Sequence, residues 1–150
     1  MTHLLINDKN IDLSAQNALK LNPLQHAVFV GNAQILSIVL QKYLETPEIV
    51  LNTTQDSFMY NIVHICAIKG RLQILRVLLK DLSSNLMIDM VKQTCSRGFS
   101  PVHYAILSGH FDIVRHLLNI SDVCAVINPV IIELLELYLF QIISFQMISI

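Results

Sequence analysis

Glycine is scarce in this chain, with four among 150 residues. Charge is scarce too, at 14% of residues against 53% apolar. The ten Lys and Arg are spread from Lys9 to Arg115 without a dense cluster, and the formal net charge is −1. A basic stripe that tracks phosphates is therefore missing, so no nucleic-acid partner is expected. The three cysteines, Cys66, Cys95 and Cys124, are odd in number and form no C-x-x-C pair. That argues against a disulfide framework and for a reducing setting, cytoplasmic or nuclear. The stretch from Met1 to Asp8 lacks a basic region ahead of a long apolar run, so a secretory leader is not expected. Neither G-x-x-x-x-G-K-[ST] nor G-x-G-x-x-G occurs, which removes the usual phosphate cradles.

What the chain does have is repetition. Gly31, Gly70 and Gly109 are spaced by 39 residues, and their surroundings repeat in the same register. Window one reads Asn22-Pro23-Leu24-Gln25-His26-Ala27, then Gly31, Ile35-Leu36 and Val39-Leu40. Window two reads Asn61-Ile62-Val63-His64-Ile65-Cys66, then Gly70, Ile74-Leu75 and Leu78-Leu79. Window three reads Ser100-Pro101-Val102-His103-Tyr104-Ala105, then Gly109, Ile113-Val114 and Leu117-Leu118. Self-similarity at this period signals stacked supersecondary units.

Each window predicts two short helices. Asn or Ser before the first suits an N-cap, and Pro23 and Pro101 suit the first helical position. Ala27, Cys66 and Ala105 share one position, where a small side chain lets a neighbouring helix approach. The glycine then ends the helix in a left-handed conformation that costs it no Cβ clash. The second helix carries apolar residues at i, i+1, i+4 and i+5, one face of a 3.6-residue period. Such a pair buries its apolar face only by stacking on neighbours.

At these residues the chain resembles the ankyrin repeat. The family's T-P-L-H-x-A signature is recognisable at residues 100–105 and weaker at 61–66 and 22–27, with Gln25 in place of the histidine. Asp12-Leu13-Ser14-Ala15 and Asp122-Val123-Cys124-Ala125 resemble its D-V-N-A turn, and Gly98-Phe99-Ser100-Pro101 its G-x-T-P hairpin. The resemblance implies an all-α solenoid of stacked helix-turn-helix units over residues 1–127. Its full repeats fall at about 17–55, 56–94 and 95–127. The repeat is longer than the usual ~33 residues, and the excess falls at Gln41 to Thr54 and Lys80 to Gln93, read as inter-repeat loops. Lys20 and Met59 stand where the hairpin glycine belongs, which predicts irregular turns there. A fourth signature fails near residue 132, so the array reads as three units with unusual ends or as part of a longer one.

Residues 128–150 form a separate, mostly apolar stretch whose charged side chains are Glu133 and Glu136, and predict an extra hydrophobic C-terminal helix. Three readings stand: a cap on the stack, a membrane anchor over residues 129–150, or the remnant of an interrupted array. The two carboxylates and the absence of flanking basic residues weigh against the anchor.

No catalytic constellation, cofactor site or metal site is expected. His110 and His116 are poorly spaced for two ligands. His64 and His103 occupy the signature position, where the resemblance implies a structural hydrogen bond to backbone near the hairpin. The structural signature is then Pro23, Ala27, Gly31, His64, Cys66, Gly70, Pro101, His103, Ala105 and Gly109. The resemblance also implies a concave contact strip of hairpin tips and first-helix ends. Carried over, it comprises Leu19, Leu21, Phe29 and Val30, then Phe58, Tyr60, Ile68 and Lys69, then Arg97, Phe99, Leu107 and Ser108. Phe58, Tyr60 and Phe99 are the favoured anchors, with Phe29 behind them. This strip is either an interface with another protein or a surface covered by the inter-repeat segments or by neighbouring repeats. The expected function is a non-catalytic protein-binding module. Variants of that reading are an inhibitor like the ankyrin arrays that hold NF-kappaB-type factors, a host-directed effector, or a membrane-tethered module.

Overall fold

A computed structural model describes residues 12–45 and 58–120, together with eight helical positions between Leu134 and Met147. The regular structure among the described residues is helical, with no strands. Among the described residues three helix pairs occur: α1 (Pro23–Val30) with α2 (Ala33–Leu44), α3 (Ile62–Lys69) with α4 (Leu72–Asp81), and α6 (Pro101–Leu107) with α7 (Phe111–Leu118). A seventh helix, α5 (Ser84–Lys92), lies between the second and third pairs. The first helices α1, α3 and α6 pack side by side, and so do the second helices α2, α4 and α7.

The small residues of the repeat explain the close stacking of first helices. Ala27, Cys66 and Ala105 are all buried. The second helices contribute Leu36 and Leu40, then Ile74, Leu75 and Leu78, then Ile113, Val114 and Leu117 to one continuous core. That is the apolar stripe of the 3.6-residue period, turned inward in every unit.

Each first helix begins with a reciprocal cap. The Asn22, Asn61 and Ser100 side chains serve the N3 backbone, and the N3 side chain reaches back to the cap N–H. In unit one Gln25 Oε1 accepts from the Asn22 N–H at 2.9 Å. In units two and three the acceptor is Nδ1 of His64, at 3.3 Å, and of His103, at 3.0 Å. Gln25 thus does through an amide what the histidines do through a ring. His64 goes further, donating from Nε2 to the Phe99 carbonyl of the next hairpin at 3.0 Å.

Gly31, Gly70 and Gly109 have φ of 84°, 68° and 74°. In unit three the helix stops at Leu107, with Ser108 as its cap and Gly109 just after. A second constraint acts on the first two. A Cβ on Gly31 would lie 2.9 Å from the Arg71 guanidinium, and one on Gly70 would lie 2.6 Å from the His110 ring. Arg71 donates from Nε and Nη2 to the Phe29 carbonyl at 3.3 and 3.0 Å. The residue after Gly70 and the residue after Gly109 therefore each cover the helix end of the unit before it.

Two expectations are corrected. The segment Lys80 to Gln93 is not a loop, because α5 fills it. Met87, Met90 and Val91 recur at i, i+3 and i+4 and are buried. The Asn61 amide fixes the end of α5 by donating to the Met90 carbonyl and to Gln93 Oε1, both at 2.8 Å. The other long segment begins as helix, since α2 continues to Leu44; residues 46–57 lie outside the described residues. The turn at Lys20 is also regular. Lys20 and Met59 adopt φ of 61° and 57°, the left-handed conformation that Gly98 adopts at 79°. The Asn17 N–H donates to Leu21 O at 3.0 Å, as the Cys95 N–H does to Phe99 O at 2.9 Å. The stack imposes the turn on a residue that does not favour it.

At the N-terminal side, the Ser14 N–H donates to Asp12 Oδ1 at 2.9 Å. Buried Tyr43 donates its hydroxyl to the Leu13 carbonyl, which ties this turn to α2. The end of the 1–127 array and the D-V-N-A-like segment at residues 122–125 lie outside the described residues. So does most of 128–150.

Candidate functional site

The hairpins and the first helices share one face of the stack. Between units one and two this face opens into a groove of about 230 Å³ lined by Leu19, Leu21, Phe29, Tyr60, Ile65, Ile68 and Lys69. Leu19 stands at the rim, 58% exposed. Phe29, Tyr60 and Ile68 are half-buried walls. Leu21 is a correction to the contact strip: it is 7% exposed and belongs to the core. Its N–H is held by the Asn17 side chain at 3.1 Å, which turns the leucine inward as the groove floor.

Lys69 is exposed, and its ammonium lies 4.5 Å from the centre of the Phe29 ring. The ammonium thus sits over the ring face at the edge of the groove, on a side chain that remains exposed. A second cation repeats the arrangement, with the Arg97 guanidinium 4.9 Å from the Phe58 ring centre.

The aromatic residues form a connected ladder across units two and three. Phe58 stacks on Tyr60 at 5.4 Å, and Tyr60 meets Tyr104 edge-on at 5.4 Å. Phe99 meets Tyr104 edge-on at 5.8 Å and lies 5.5 Å from His103. The Tyr60 and Tyr104 hydroxyls are 3.3 Å apart, and the Ser96 N–H donates to the Phe58 carbonyl at 3.0 Å. Phe58, Tyr60 and Phe99 are all half-buried, so these rings join neighbouring hairpins as well as facing outward. Tyr104, at the centre of the ladder, was not singled out by sequence, and neither was Ile65 in the groove. Both sit inside helical signatures that read equally well as core.

Val30, Leu107 and Ser108 are exposed helix ends on the same side. Leu107 does not join the groove. With Ile106 it lines a separate hollow completed by Leu134, Leu137 and Gln141 of the C-terminal stretch.

The titratable groups beside this face are set for structure. Burial lowers the His64 pKa to about 4, against the opposing pull of its bond to the Phe99 carbonyl. Burial also lowers that of His103. Both are therefore neutral hydrogen-bonding rings at neutral pH. Burial pushes the Cys66 thiol well up, leaving it unreactive. For Cys95 burial acts upward, but hydrogen bonds from the Tyr104 hydroxyl and from the Arg97 and Phe99 backbone outweigh it. That thiol is still only 5% exposed. Among the described residues no group of three His, Cys, Asp or Glu is arranged to hold a metal ion. No helix among them is long and apolar enough to cross a membrane.

A model of the ankyrin-repeat family, in three copies, matches residues 48–127. No curated protein matches the chain.

Proposed function

The chain belongs to the ankyrin-repeat family, and from that premise we propose that it binds a partner protein through its hairpin tips and first helices. Ankyrin repeats are generally protein-interaction modules, and the family is typically non-catalytic. The observation that carries the reading is the open apolar groove between units one and two, walled by Phe29, Tyr60 and Ile68 with Leu19 at its rim. Apolar surface of this kind, rimmed by polar groups, is where binding energy concentrates. The half-buried ladder of Phe58, Tyr60 and Phe99 supports the groove from the side. The contact anchors are therefore Leu19, Phe29 and Lys69 before the three rings that sequence favoured.

The test is capture of proteins from a cell lysate by the full chain and by its Leu19→Asp variant. Leu19 is exposed, so the variant keeps its helicity and melting temperature. Loss of the captured protein at unchanged stability is the expected result. The same capture by Leu19→Asp and by Ile68→Asp, both folded, would remove the reading.

A further inference from the structure

We propose that the occupant of this groove is an acidic, apolar peptide segment of a partner protein. It places an aliphatic or aromatic side chain in the groove and a carboxylate at Lys69. The proposal rests on the reading of the groove as a binding site and adds the chemistry of what fills it.

The argument is the distribution of charge. The hairpin and first-helix segments 17–31, 58–70 and 95–109 contain no Asp or Glu. They do contain Lys20, Lys69 and Arg97. The described carboxylates lie elsewhere: Asp12 before the first hairpin, Glu45 and Asp81 at the ends of α2 and α4, Asp89 on α5, Asp112 on α7, and Glu136 in the C-terminal stretch. Asp56, ahead of the second hairpin, is outside the described residues. A chain with a net charge of −1 thus presents one face whose described charges are all positive.

These cations are placed where a ligand in the groove would meet them. Lys69 lines the groove itself. Arg97 covers Phe58, which stacks on Tyr60, a groove wall. Among the described residues the ion pair is Lys42 with Glu45, at the end of α2. Lys69 and Arg97 instead place their charged ends over aromatic rings, and both side chains stay exposed to solvent. A carboxylate arriving beside an apolar anchor gains attraction at a partly desolvated site, while a basic segment is repelled.

Selection of a random displayed peptide library on the full chain tests this. The enriched peptides should carry Asp or Glu next to a large apolar residue. Lys69→Glu should weaken them roughly tenfold or more, with the melting temperature held. Exchanging the peptide carboxylate for lysine should then restore binding to Lys69→Glu, which a structural role for Lys69 does not predict. Peptides that need Leu19 but ignore Lys69→Glu would overturn this proposal and leave the groove reading standing. Peptides indifferent to Leu19→Asp, or no enrichment at all, would overturn both.

Discussion

Units one and three build the same structure from different residues. Unit three has glycine at the hairpin position, and unit one has Lys20, yet both turns are left-handed with φ of 79° and 61°. Unit three caps its first helix with His103, and unit one does so with Gln25. The family model matches residues 48–127 and leaves out the hairpin and both helices of unit one. What unit one keeps is geometry: an acceptor within reach of the N-cap N–H, a left-handed residue in the turn, a glycine at the helix end. Stacking against unit two supplies the rest, through Arg71 on Gly31 and the Phe29 carbonyl. Sequence signatures record one chemical solution, whereas the stack requires only the contact.

The strongest way to break this comparison is at the cap. His64→Ala removes the acceptor for Asn61 and the donor to Phe99 and leaves a void where a fully buried ring stood. The expected loss is about 3–4 kcal/mol in urea unfolding. His64→Gln, which transplants the solution of unit one, should recover a large part of it. The pair also separates by pH. The His64 pKa is lowered to about 4 in the folded chain, so between pH 4 and ~6.5 the unfolded state binds the extra proton. The stabilisation is complete above ~6.5 and declines as pH falls toward 4, by about 3 kcal/mol for this one group. His64→Gln should flatten that slope, leaving the part due to His103.

Next come the glycines. Gly31→Ala must move the Arg71 guanidinium and break its bonds to Phe29 in addition to straining a positive φ. Gly98→Ala meets no atom within 4 Å and suffers the strain alone. The expected losses are about 2–3 and about 1 kcal/mol. Equal losses would mean that the cover over the helix end contributes nothing. The smallest effect is a gain. Lys20→Gly relieves a left-handed backbone and should stabilise by about 0.5 kcal/mol, since the freer unfolded chain offsets part of the relief. A loss instead would show that the lysine side chain contributes more to the hairpin than its backbone strain removes.

The parts of the fold visible in the sequence are those set by local chemistry. The glycine spacing, the Asn and Ser caps and the inward stripe of Ile74, Leu75 and Leu78 are such features. The α5 helix has a local signal, Met87, Met90 and Val91 at helical spacing, but its place between two repeat signatures reads as an inter-repeat loop. The turns at Lys20 and Met59 were not legible, because neighbouring hairpins decide their conformation and no local preference does. Leu19, Phe29, Ile68 and Lys69, which the resemblance marks as contact positions, line one groove. The inward turn of Leu21 depends on the Asn17 side chain, and the joining of Phe58 and Tyr60 to Phe99 depends on Tyr104, which meets Tyr60 across the unit boundary and Phe99 within unit three. Those are contacts across 4 and 44 positions of chain, which a period of 39 does not specify.

The groove exists only if unit one is docked on unit two, since Leu19, Leu21 and Phe29 come from the former and Tyr60, Ile68 and Lys69 from the latter. Native-state hydrogen exchange of the α1 and α3 amides tests that directly. The expected result is protection of Ala27 and Val28 within about 1 kcal/mol of that of Cys66 and Ala67, as for units that open together. Amides of α1 that exchange almost freely while α3 stays protected would contradict it, because the binding face would then lack one wall.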